Sequence, residues 1–502
     1  MIKILLINSN TETKPYPVPP LGICLLASYL KQKNLTQPDP LRHYNVKVYD
    51  GTFEKQPLAD TITVFQPDLI GVGIRNIDDI IENGNFFITD IYNNYIKIVR
   101  RHSRAPLVLG GAGFSIFPLA LMKKLEADAG IIGEGEKNFE AFASYAVQYG
   151  IDHKKSAEIK IPNLITREDV YCREKPQTDF LFSDESRILP GKENLYLVQS
   201  EIDTYIDFKG YSQRGSYPVQ CKRGCIFRCI YCTYPCIEGN RYRIRPANEV
   251  ADEIETTDKR LGNVTFEFVD STFNSPPGYA EQICKEIIRR RLKIRLRTMG
   301  INPGGVTGEL IELMKEAGFV QIDCTPDTAS PSMLVAMKKN FNLAQLENTA
   351  KLLKIHNMPT MWFFIFGGPG ETEKTIDETL GFAADYIEPL DMGHFTEGIR
   401  IYPGTHIREI AIHEGLIPAD ADLLEPVFYF SSGISRAVLK NKLMQFTGKY
   451  PNCLRACDSK PDPDLIKSAM LLRKANALEH EPMFRSLLRI RKHLMEINST
   501  SC

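Results

Sequence analysis

The 502-residue chain lacks several features that would place it in a simple class. No run approaches the roughly 18 apolar residues of a membrane-spanning helix, and the nearest, "MPTMWFFIFGG", is strand-like. The formal net charge of −1 argues against a nucleic-acid binder, which is usually basic. The N-terminal "MIKILLINSN" has neither a basic start nor a small-residue cleavage site, so it predicts a β-strand rather than a signal peptide. We therefore expect a cytoplasmic protein with no membrane span and no nucleic-acid partner.

Cysteine is also sparse, except at one place. The 12 cysteines of the chain are too dilute for a disulfide scaffold, and in a reducing compartment a tight cluster of them is free for metal or redox chemistry. That cluster is "CKRGCIFRCIYC", residues 221–232. Its four cysteines could form a zinc site, an iron–sulfur site or a disulfide knot.

The remaining sequence predicts an α/β protein of more than one domain, because the chain exceeds what a single core normally organises. Residues 1–148 alternate apolar strands with helices, which predicts a doubly wound, Rossmann-like parallel sheet. Residues 149–210 are polar and predict a linker. Six further strand–helix units over 211–410, with "GIRIYPG" as the last strand, predict a partial TIM-type (β/α)6 barrel. Residues 411–502 predict a mostly helical C-terminal substrate or lid region.

Parallel sheets bind ligands at the carboxyl ends of their strands. In the first domain, the residues at these ends that we single out are Arg75, Asn76, Gly110, Gly111, Gly133 and Glu134. In the barrel, the cysteine loop directly follows the first strand. The sequence therefore predicts a functional site where the two sets of strand ends lie.

The cysteine spacing favours an iron–sulfur cluster over a zinc site, but a zinc site remains an alternative. A structural zinc site needs four ligands, and Cys221 or Cys236 could supply the fourth. Zinc cysteines usually come as two separated pairs, whereas Cys225, Cys229 and Cys232 are separated by three and two residues on one loop. Three thiolates on a four-iron cluster leave one iron open, as a catalytic site requires.

The stretch "CIFRCIYC", with an aromatic residue before its last cysteine, resembles the motif of the radical S-adenosylmethionine (SAM) family. The resemblance implies a [4Fe–4S] cluster on Cys225, Cys229 and Cys232, whose open iron binds the amine and carboxylate of SAM. Tyr231 is the aromatic residue of the motif. Cys221 and Cys236 are then expected to be dispensable for the cluster.

Other stretches resemble the same family. The turn "FIFGGPGE" resembles the glycine-rich turn that faces the adenosine of SAM, which implies contacts from Gly367 and Gly368. Asp270 ends the second barrel strand and suits the SAM ammonium group or the substrate. Thr325, at the end of "FVQIDCT", is a weaker candidate for the SAM carboxylate.

The first domain resembles the cobalamin-binding domain of one large radical SAM class, through "PPLGICLLASYL", "LVLGGAGFS" and "GIIGEGEKNFEAF". The strand-end residues named above would then contact cobalamin. Domains that ligate cobalt through histidine carry it in the first loop, but "NSNTETKPYPVPPLG" contains none. We expect His43 to be an ordinary surface residue. Arg75 would face the corrin without ligating cobalt, because a guanidinium has no acceptor lone pair; alternatively, it pairs with Asp78 or Asp79.

The resemblance implies a cobalamin-dependent methyltransferase that acts on an unactivated carbon of a small molecule and uses an external electron donor such as flavodoxin or ferredoxin. A cyclase or oxidoreductase without methyl transfer is an alternative, as is a non-catalytic zinc or iron–sulfur protein. Methylthiolation of tRNA is disfavoured, because the first 150 residues contain only Cys24.

The C-terminal residues 432–502 are expected to cover the barrel mouth, because radical chemistry needs water excluded. Within them, Arg485, Arg489 and Lys492 have helical spacing and predict a solvated basic face. Contact with an anionic substrate group is the alternative for these three side chains.

Overall fold

The computed structural model describes most of the chain. The described residues are 1–13, 16–40, 43–149, 161–171, 201–458, 462–476, 478 and 481–500. Two parts of the predicted linker, 150–160 and 172–200, lie outside them.

The first domain is built on a six-stranded sheet of order β2-β1-β3-β4-β5-β6. Its strands are β1 (Ile2–Asn8), β2 (Tyr44–Asp50), β3 (Leu69–Gly73), β4 (Leu107–Gly110), β5 (Ala129–Ile131) and β6 (Leu164–Thr166). The first five are parallel and β6 is antiparallel to β5. The predicted doubly wound sheet is confirmed, but β6 comes from the predicted linker, so this domain extends beyond residue 148.

Helices cover both faces of this sheet, which is why its strands are apolar throughout. They are α1 (Leu21–Thr36), α2 (Leu58–Phe65), α3 (Ile88–Ile91), a π-helical turn (Tyr92–Ile96), α4 (Lys97–His102), α5 (Ala112–Ile116), α6 (Pro118–Lys124), α7 (Glu136–Tyr149) and α8 (Arg167–Tyr171). On β1, Leu6 joins the core that includes α1 and α7, whereas Leu5 joins the core that includes α2 and α6. The sheet is thereby sealed on both sides and left open only at its strand ends.

The second domain is an open barrel of parallel strands in the order β7-β10-β11-β12-β13-β14-β17. Its strands are β7 (Tyr217–Val219), β10 (Thr265–Phe268), β11 (Arg295–Ile301), β12 (Phe319–Asp327), β13 (Thr360–Phe366), β14 (Met392–Glu397) and β17 (Cys453–Arg455). Two antiparallel pairs flank it: β8 (Lys222–Arg223) with β9 (Arg243–Ile244), and β15 (Ile399–Arg400) with β16 (Phe428–Tyr429). The predicted partial barrel is confirmed, but β17, from the region predicted to be mostly helical, adds a seventh strand beside β14.

The helices of this region connect and cover the strands. They are α9 (Ile202–Tyr205), α10 (Phe208–Ser212), α11 (Tyr234–Ile237), α12 (Ala247–Leu261), α13 (Tyr279–Arg289), α14 (Gly308–Ala317), α15 (Pro331–Ala336), α16 (Leu343–Ile355), α17 (Glu373–Tyr386), α18 (His406–His413), α19 (Arg436–Lys449), α20 (Pro463–Ala475) and α21 (Met483–Thr500), with 3-10 turns at Pro303–Gly305 and Ala456–Asp458. On β13, alternate residues point outward, and Trp362 and Phe364 pack edge-on against Phe382 of α17. The intervening positions therefore face the barrel interior.

The prediction of "GIRIYPG" as the last barrel strand is wrong. The strand in that place is β14, whose sequence "MGHFTE" lacks the apolar run that marks its neighbours. Gly398 follows with φ of 77°, a left-handed conformation that ends the strand. Residues 399–400 then pair with β16 outside the barrel sheet.

The C-terminal helix α21 begins at the amino ends of the barrel strands. Arg485 donates to Asp391 at 2.8 Å, and Asp391, just before β14, also accepts from the backbone N–H of Thr360. Phe484 and Leu488 pack on Met392 in the same place. The start of α21 therefore closes the end opposite the cysteine loop, which differs from the predicted cover over the mouth.

The prediction of a solvated basic face on α21 is also wrong for Arg485. Arg485 is only 9% exposed and is held by Asp391, so it is not solvated. Arg489 pairs with Glu481 at 2.8 Å on the exposed side of the helix. The two arginines therefore do not converge on one anion.

Candidate active site

A cavity of about 370 Å³ lies between the two domains, where the carboxyl ends of both sheets meet. The first domain contributes Arg75, Gly110, Gly111, Gly133 and Glu134 to its wall. The barrel side contributes Gln220, Tyr234, Ile237, Glu238, Val269 and Met299. Asn76 lies with Arg75 at a smaller adjoining pocket. The structure thus brings together the strand-end residues that the sequence singled out in the first domain.

The first-domain wall is shaped by backbone rather than by side chains. Gly111 has φ of 97°, and a Cβ atom there would lie 2.6 Å from the carbonyl oxygen of Ile74. A Cβ atom on Gly110 would meet nothing nearer than 3.9 Å. Ser115 donates to the Gly111 carbonyl and accepts from the Gly133 N–H, each at 2.8 Å, so two loops are tied together. This open glycine cradle fits a large, flat cofactor such as cobalamin.

Arg75 and His43 lie at opposite ends of the first sheet. Arg75 lines the cavity, and Asp78, one of its two expected partners, pairs instead with Arg400 at 3.0 Å. His43 lies beside the amino end of β1, where its carbonyl accepts from the Ile2 N–H, and its Nε2 lies 2.9 Å from the Gln37 carbonyl. Among the described residues that line the cavity, none is a histidine.

The cysteine loop runs between β8 and β9 at the barrel mouth. The Cys225 N–H donates to the Gly239 carbonyl and the Cys232 N–H to the Cys229 carbonyl, at 3.0 and 3.1 Å. Ile230, 0% exposed, anchors the loop by donating to the Met337 carbonyl. All cysteines in the described part of the chain are free thiols.

The three thiols of this loop influence one another. Burial, together with the like charges of Cys229 and Cys225, raises the pKa of Cys232 to about 12. Burial also raises the pKa of Cys229. Within the described residues, no group of three or more His, Cys, Asp or Glu side chains is arranged to hold a single metal ion. Three mutually close thiols on one anchored loop fit the donor set of an iron–sulfur cluster with one open iron.

Cys221 and Asp270 form a separate, fully buried unit. Asp270 accepts from the backbone N–H groups of Cys221 and Lys222 at 3.0 and 2.9 Å, and its other oxygen lies 2.6 Å from the Cys221 thiol. Burial and the neighbouring Asp270 charge raise the pKa of Cys221 well above its usual value. Asp270 therefore fixes the start of the hairpin, and its contact with SAM or substrate stays a prediction.

A buried ion pair beside the cysteine loop was missed from the sequence. Lys339 donates to Asp327 at 2.6 Å, and Tyr231 donates to the same carboxylate oxygen. Burial lowers the pKa of Lys339, but Asp327 and then Cys229 outweigh it, so the pKa is raised. Asp327 ends β12 and could have been found as a strand-end carboxylate, whereas Lys339 follows α15 without any motif. The structure thus places a positive charge next to the thiols.

The glycine turn after β13 is held by a second missed residue, Glu371. Its carboxylate accepts from the backbone N–H groups of Gly367 and Gly368, the latter at 3.1 Å. Burial raises the pKa of Glu371 to about 7. The Ser431 N–H donates to the Gly367 carbonyl, so the segment after β16 also braces the turn. The SAM contacts of Gly367, Gly368 and Thr325 remain predictions.

A glycine cradle at the strand ends of one sheet and three thiols on a loop at the mouth of a partial barrel define an enzyme with two kinds of cofactor site. Two family models match the chain accordingly: the B12 binding domain over residues 9–143 and the Radical SAM superfamily over residues 219–383. The chain belongs to the radical SAM enzymes that carry a B12 binding domain. These family matches confirm the predicted cofactors, which are a [4Fe–4S] cluster, SAM and cobalamin.

Individual relatives match about four-fifths of the chain. The tryptophan 2-C-methyltransferase of Streptomyces laurentii is 26% identical over 455 residues, 80% of this chain and 73% of that protein. An uncharacterized methyltransferase of Pyrococcus horikoshii is 25% identical over 83% of this chain and 84% of its own. The methyltransferase TsrM of Kitasatospora setae, solved with cobalamin and a [4Fe–4S] cluster, has a TM-score of 0.76 at 23% identity, with 100% of both chains covered. The last comparison shows a common fold.

One further expectation concerns the membrane. Among the helices in the described part of the chain, none is long and apolar enough to cross a bilayer.

Proposed function

We propose that the protein is a C-methyltransferase that adds a methyl group to a carbon atom of a small-molecule substrate. The observation that carries this proposal is the cavity of about 370 Å³ between the glycine cradle and the barrel mouth. A methyl carrier in the cradle and a substrate at the mouth would meet in this space. The two relatives that match four-fifths of the chain, both named methyltransferases, support the same reaction class.

The chain's own residues have distinct parts in this proposal. Cys225, Cys229 and Cys232 would hold the cluster, and Gly110 and Gly111 would let the corrin approach the strand ends closely. When bound, these cofactors supply reductive cleavage of SAM and methyl transfer from cobalt. Arg75 would lie at the corrin without occupying a coordination position of cobalt.

The barrel interior limits the kind of substrate. Asp323 accepts from Gln321 at 2.7 Å, and burial raises its pKa to about 7. Arg297 pairs with Glu267 at 2.7 Å and stacks 4.3 Å from the ring centroid of Tyr16, which reaches in from the first domain. Glu267 and Asp323 are buried and the Arg297 side chain is 12% exposed, so the barrel interior presents charged groups that are shielded from water, and Phe363 of β13 faces the same interior. We propose a compact substrate with an apolar body and a few hydrogen-bonding groups; tryptophan, named for the S. laurentii relative, is the first probe.

We further infer that the enzyme works in the cytoplasm with an external electron donor such as flavodoxin or ferredoxin and without a nucleic-acid partner. The free thiols of the described cysteines suit a reducing compartment. The net charge of −1 offers no basic excess for a nucleic acid.

The reaction class is tested with protein reconstituted anaerobically with iron, sulfide and hydroxocobalamin. Dithionite, methyl-labelled SAM and tryptophan are added, and S-adenosylhomocysteine, 5′-deoxyadenosine and labelled product are measured. Methyl transfer requires S-adenosylhomocysteine in amounts that follow the cobalamin content, with none from the Cys229→Ala control. Formation of 5′-deoxyadenosine without S-adenosylhomocysteine would instead favour cyclisation or oxidation.

A further inference from the structure

Four charged side chains from both domains form a buried cluster beside the cavity, here called the interdomain clamp: Glu134, Glu136, Arg223 and Arg243. Arg223 donates to Glu134 at 2.9 Å and to Glu136 at 2.6 Å. Arg243 donates to Glu134 through both terminal nitrogens, one of them at 2.8 Å. Their side chains are at most 10% exposed. Two acids and two bases thus balance each other away from water.

The clamp joins two loops that the cofactors need. Glu134 follows the strand-end glycine Gly133 and lines the cavity, whereas Glu136 begins α7. Arg223 lies on β8, two residues before the cluster ligand Cys225, and Arg243 lies on β9. A movement of the cradle loop is therefore passed directly to the hairpin that carries the cysteines.

Further bonds make that hairpin a single unit. Arg243 donates to the Glu238 carbonyl at 3.0 Å, and the Gly224 N–H donates to the Glu238 carboxylate at 2.9 Å. Cys225 is tied to Gly239 in the same turn. Glu134, which bonds both arginines, is the acid that spans the two strands of the hairpin.

We propose that Glu134 is a positioning residue for the cysteine loop: through the interdomain clamp, binding of cobalamin to the first domain orders the hairpin that carries the cluster ligands. Charges so buried are costly unless paired, so the clamp has few alternative arrangements. A second interdomain pair, Arg436 with Glu82, is exposed on the arginine side (61%) and does not touch the hairpin. It provides a matched control.

The experiment measures amide hydrogen exchange over residues 221–245 with and without hydroxocobalamin, in the absence of SAM and substrate. In the wild type we expect hydroxocobalamin to slow exchange about tenfold, within the usual range for coupling between sites. The variant Glu134→Gln removes the acid that both arginines contact and risks misfolding, so Glu134→Gln/Arg243→Gln, which removes one charge of each sign, is measured beside it. Glu82→Gln should behave as the wild type.

The expected result is a double variant that no longer protects the hairpin even when its absorbance shows that it has been saturated with hydroxocobalamin, at whatever concentration this requires. Its reconstituted cluster should also have an altered electron paramagnetic resonance spectrum, which a merely structural residue would not change. Equal protection in wild type and double variant would overturn the proposal, as would absence of protection in the wild type. Complete loss of hydroxocobalamin binding at every concentration would overturn it too, because Glu134 would then act in holding the cofactor and not in positioning the hairpin. None of these outcomes depends on methyl transfer.

Discussion

The two ends of the barrel carry ion pairs that look alike. At the mouth, Lys339 and Asp327 are 2.6 Å apart with side chains 7% and 5% exposed. At the amino ends of the strands, Arg485 and Asp391 are 2.8 Å apart with side chains 11% and 8% exposed. The surroundings differ: the first pair lies among Tyr231 and the thiols of the cysteine loop, the second among backbone N–H groups and apolar side chains. The distance between the charged groups of an ion pair and their burial therefore do not reveal its role, whereas the residues around it do.

The largest effect that would test this comparison is loss of the cluster at the mouth. Alanine at Cys225, Cys229 or Cys232 removes one of three thiolate ligands, so iron and sulfide per chain should fall to near zero after reconstitution. Cys221→Ala should keep the cluster, because that thiol is enclosed with Asp270. Iron counting and the absorbance of the cluster measure both. Equal loss in Cys221→Ala would refute the three-ligand assignment.

The pair at the opposite end should affect stability alone. Arg485→Met leaves Asp391 as a buried, unpaired carboxylate, which typically destabilises a protein by about 3–5 kcal/mol. The decrease in the free energy of unfolding is measured by urea titration of the two-state unfolding transition. Cluster content per folded chain should stay at the wild-type level. A changed cluster spectrum in Arg485→Met would break the distinction between the two ends.

The matching change at the mouth should act on the cluster. Lys339→Met removes a positive charge beside the thiols, so adding an electron becomes harder and the midpoint potential falls, by about 60 mV for a tenfold change in a one-electron equilibrium. Asp327→Asn should move the potential upward, because it removes a negative charge. Redox titration followed by electron paramagnetic resonance measures both. Shifts of the same sign in the two variants would contradict an electrostatic role.

The sequence predicts features formed by residues that are close together in the chain. It does not predict contacts between segments that only folding brings together. The cysteine loop and the glycine-rich strand ends are contiguous motifs, and their positions follow from the rules of parallel sheets. Lys339 carries no such signal, because its place beside Tyr231 depends on how the segment after α15 packs against the cysteine loop. Glu371 bonds the backbone of its own turn, so it was missed although its contacts are local. Strand β14 was missed because "MGHFTE" lacks an apolar run, and the position of α21 depends on Arg485 meeting Asp391 across the fold.

Asp323 is a buried acid that lies between the two ends of the barrel and accepts a hydrogen bond from the neutral amide of Gln321. We expect it to make the free energy of unfolding depend on pH. Burial raises its folded-state pKa to about 7, from an ordinary value of 3.8. The protonated form is thus favoured in the folded protein, and its contribution is present below pH 4 and lost as pH rises towards 7, about 4 kcal/mol at most. The difference in unfolding free energy between wild type and Asp323→Asn should follow this course. A flat difference curve would refute the raised pKa.

The smallest expected effect is that of His43→Ala in the first sheet. This sheet also has one end at the cavity and one end remote from it. His43 lies beside the amino end of β1, with Nε2 close to the Gln37 carbonyl, whereas Arg75 and the glycine cradle lie at the carboxyl ends. A side chain at the remote end cannot reach cobalt, so the electron paramagnetic resonance spectrum of bound cob(II)alamin should be the same in His43→Ala and in the wild type. Nitrogen splitting that is present in the wild type and absent from His43→Ala would show that the histidine ligates cobalt, and the assignment of the two ends would then be reversed.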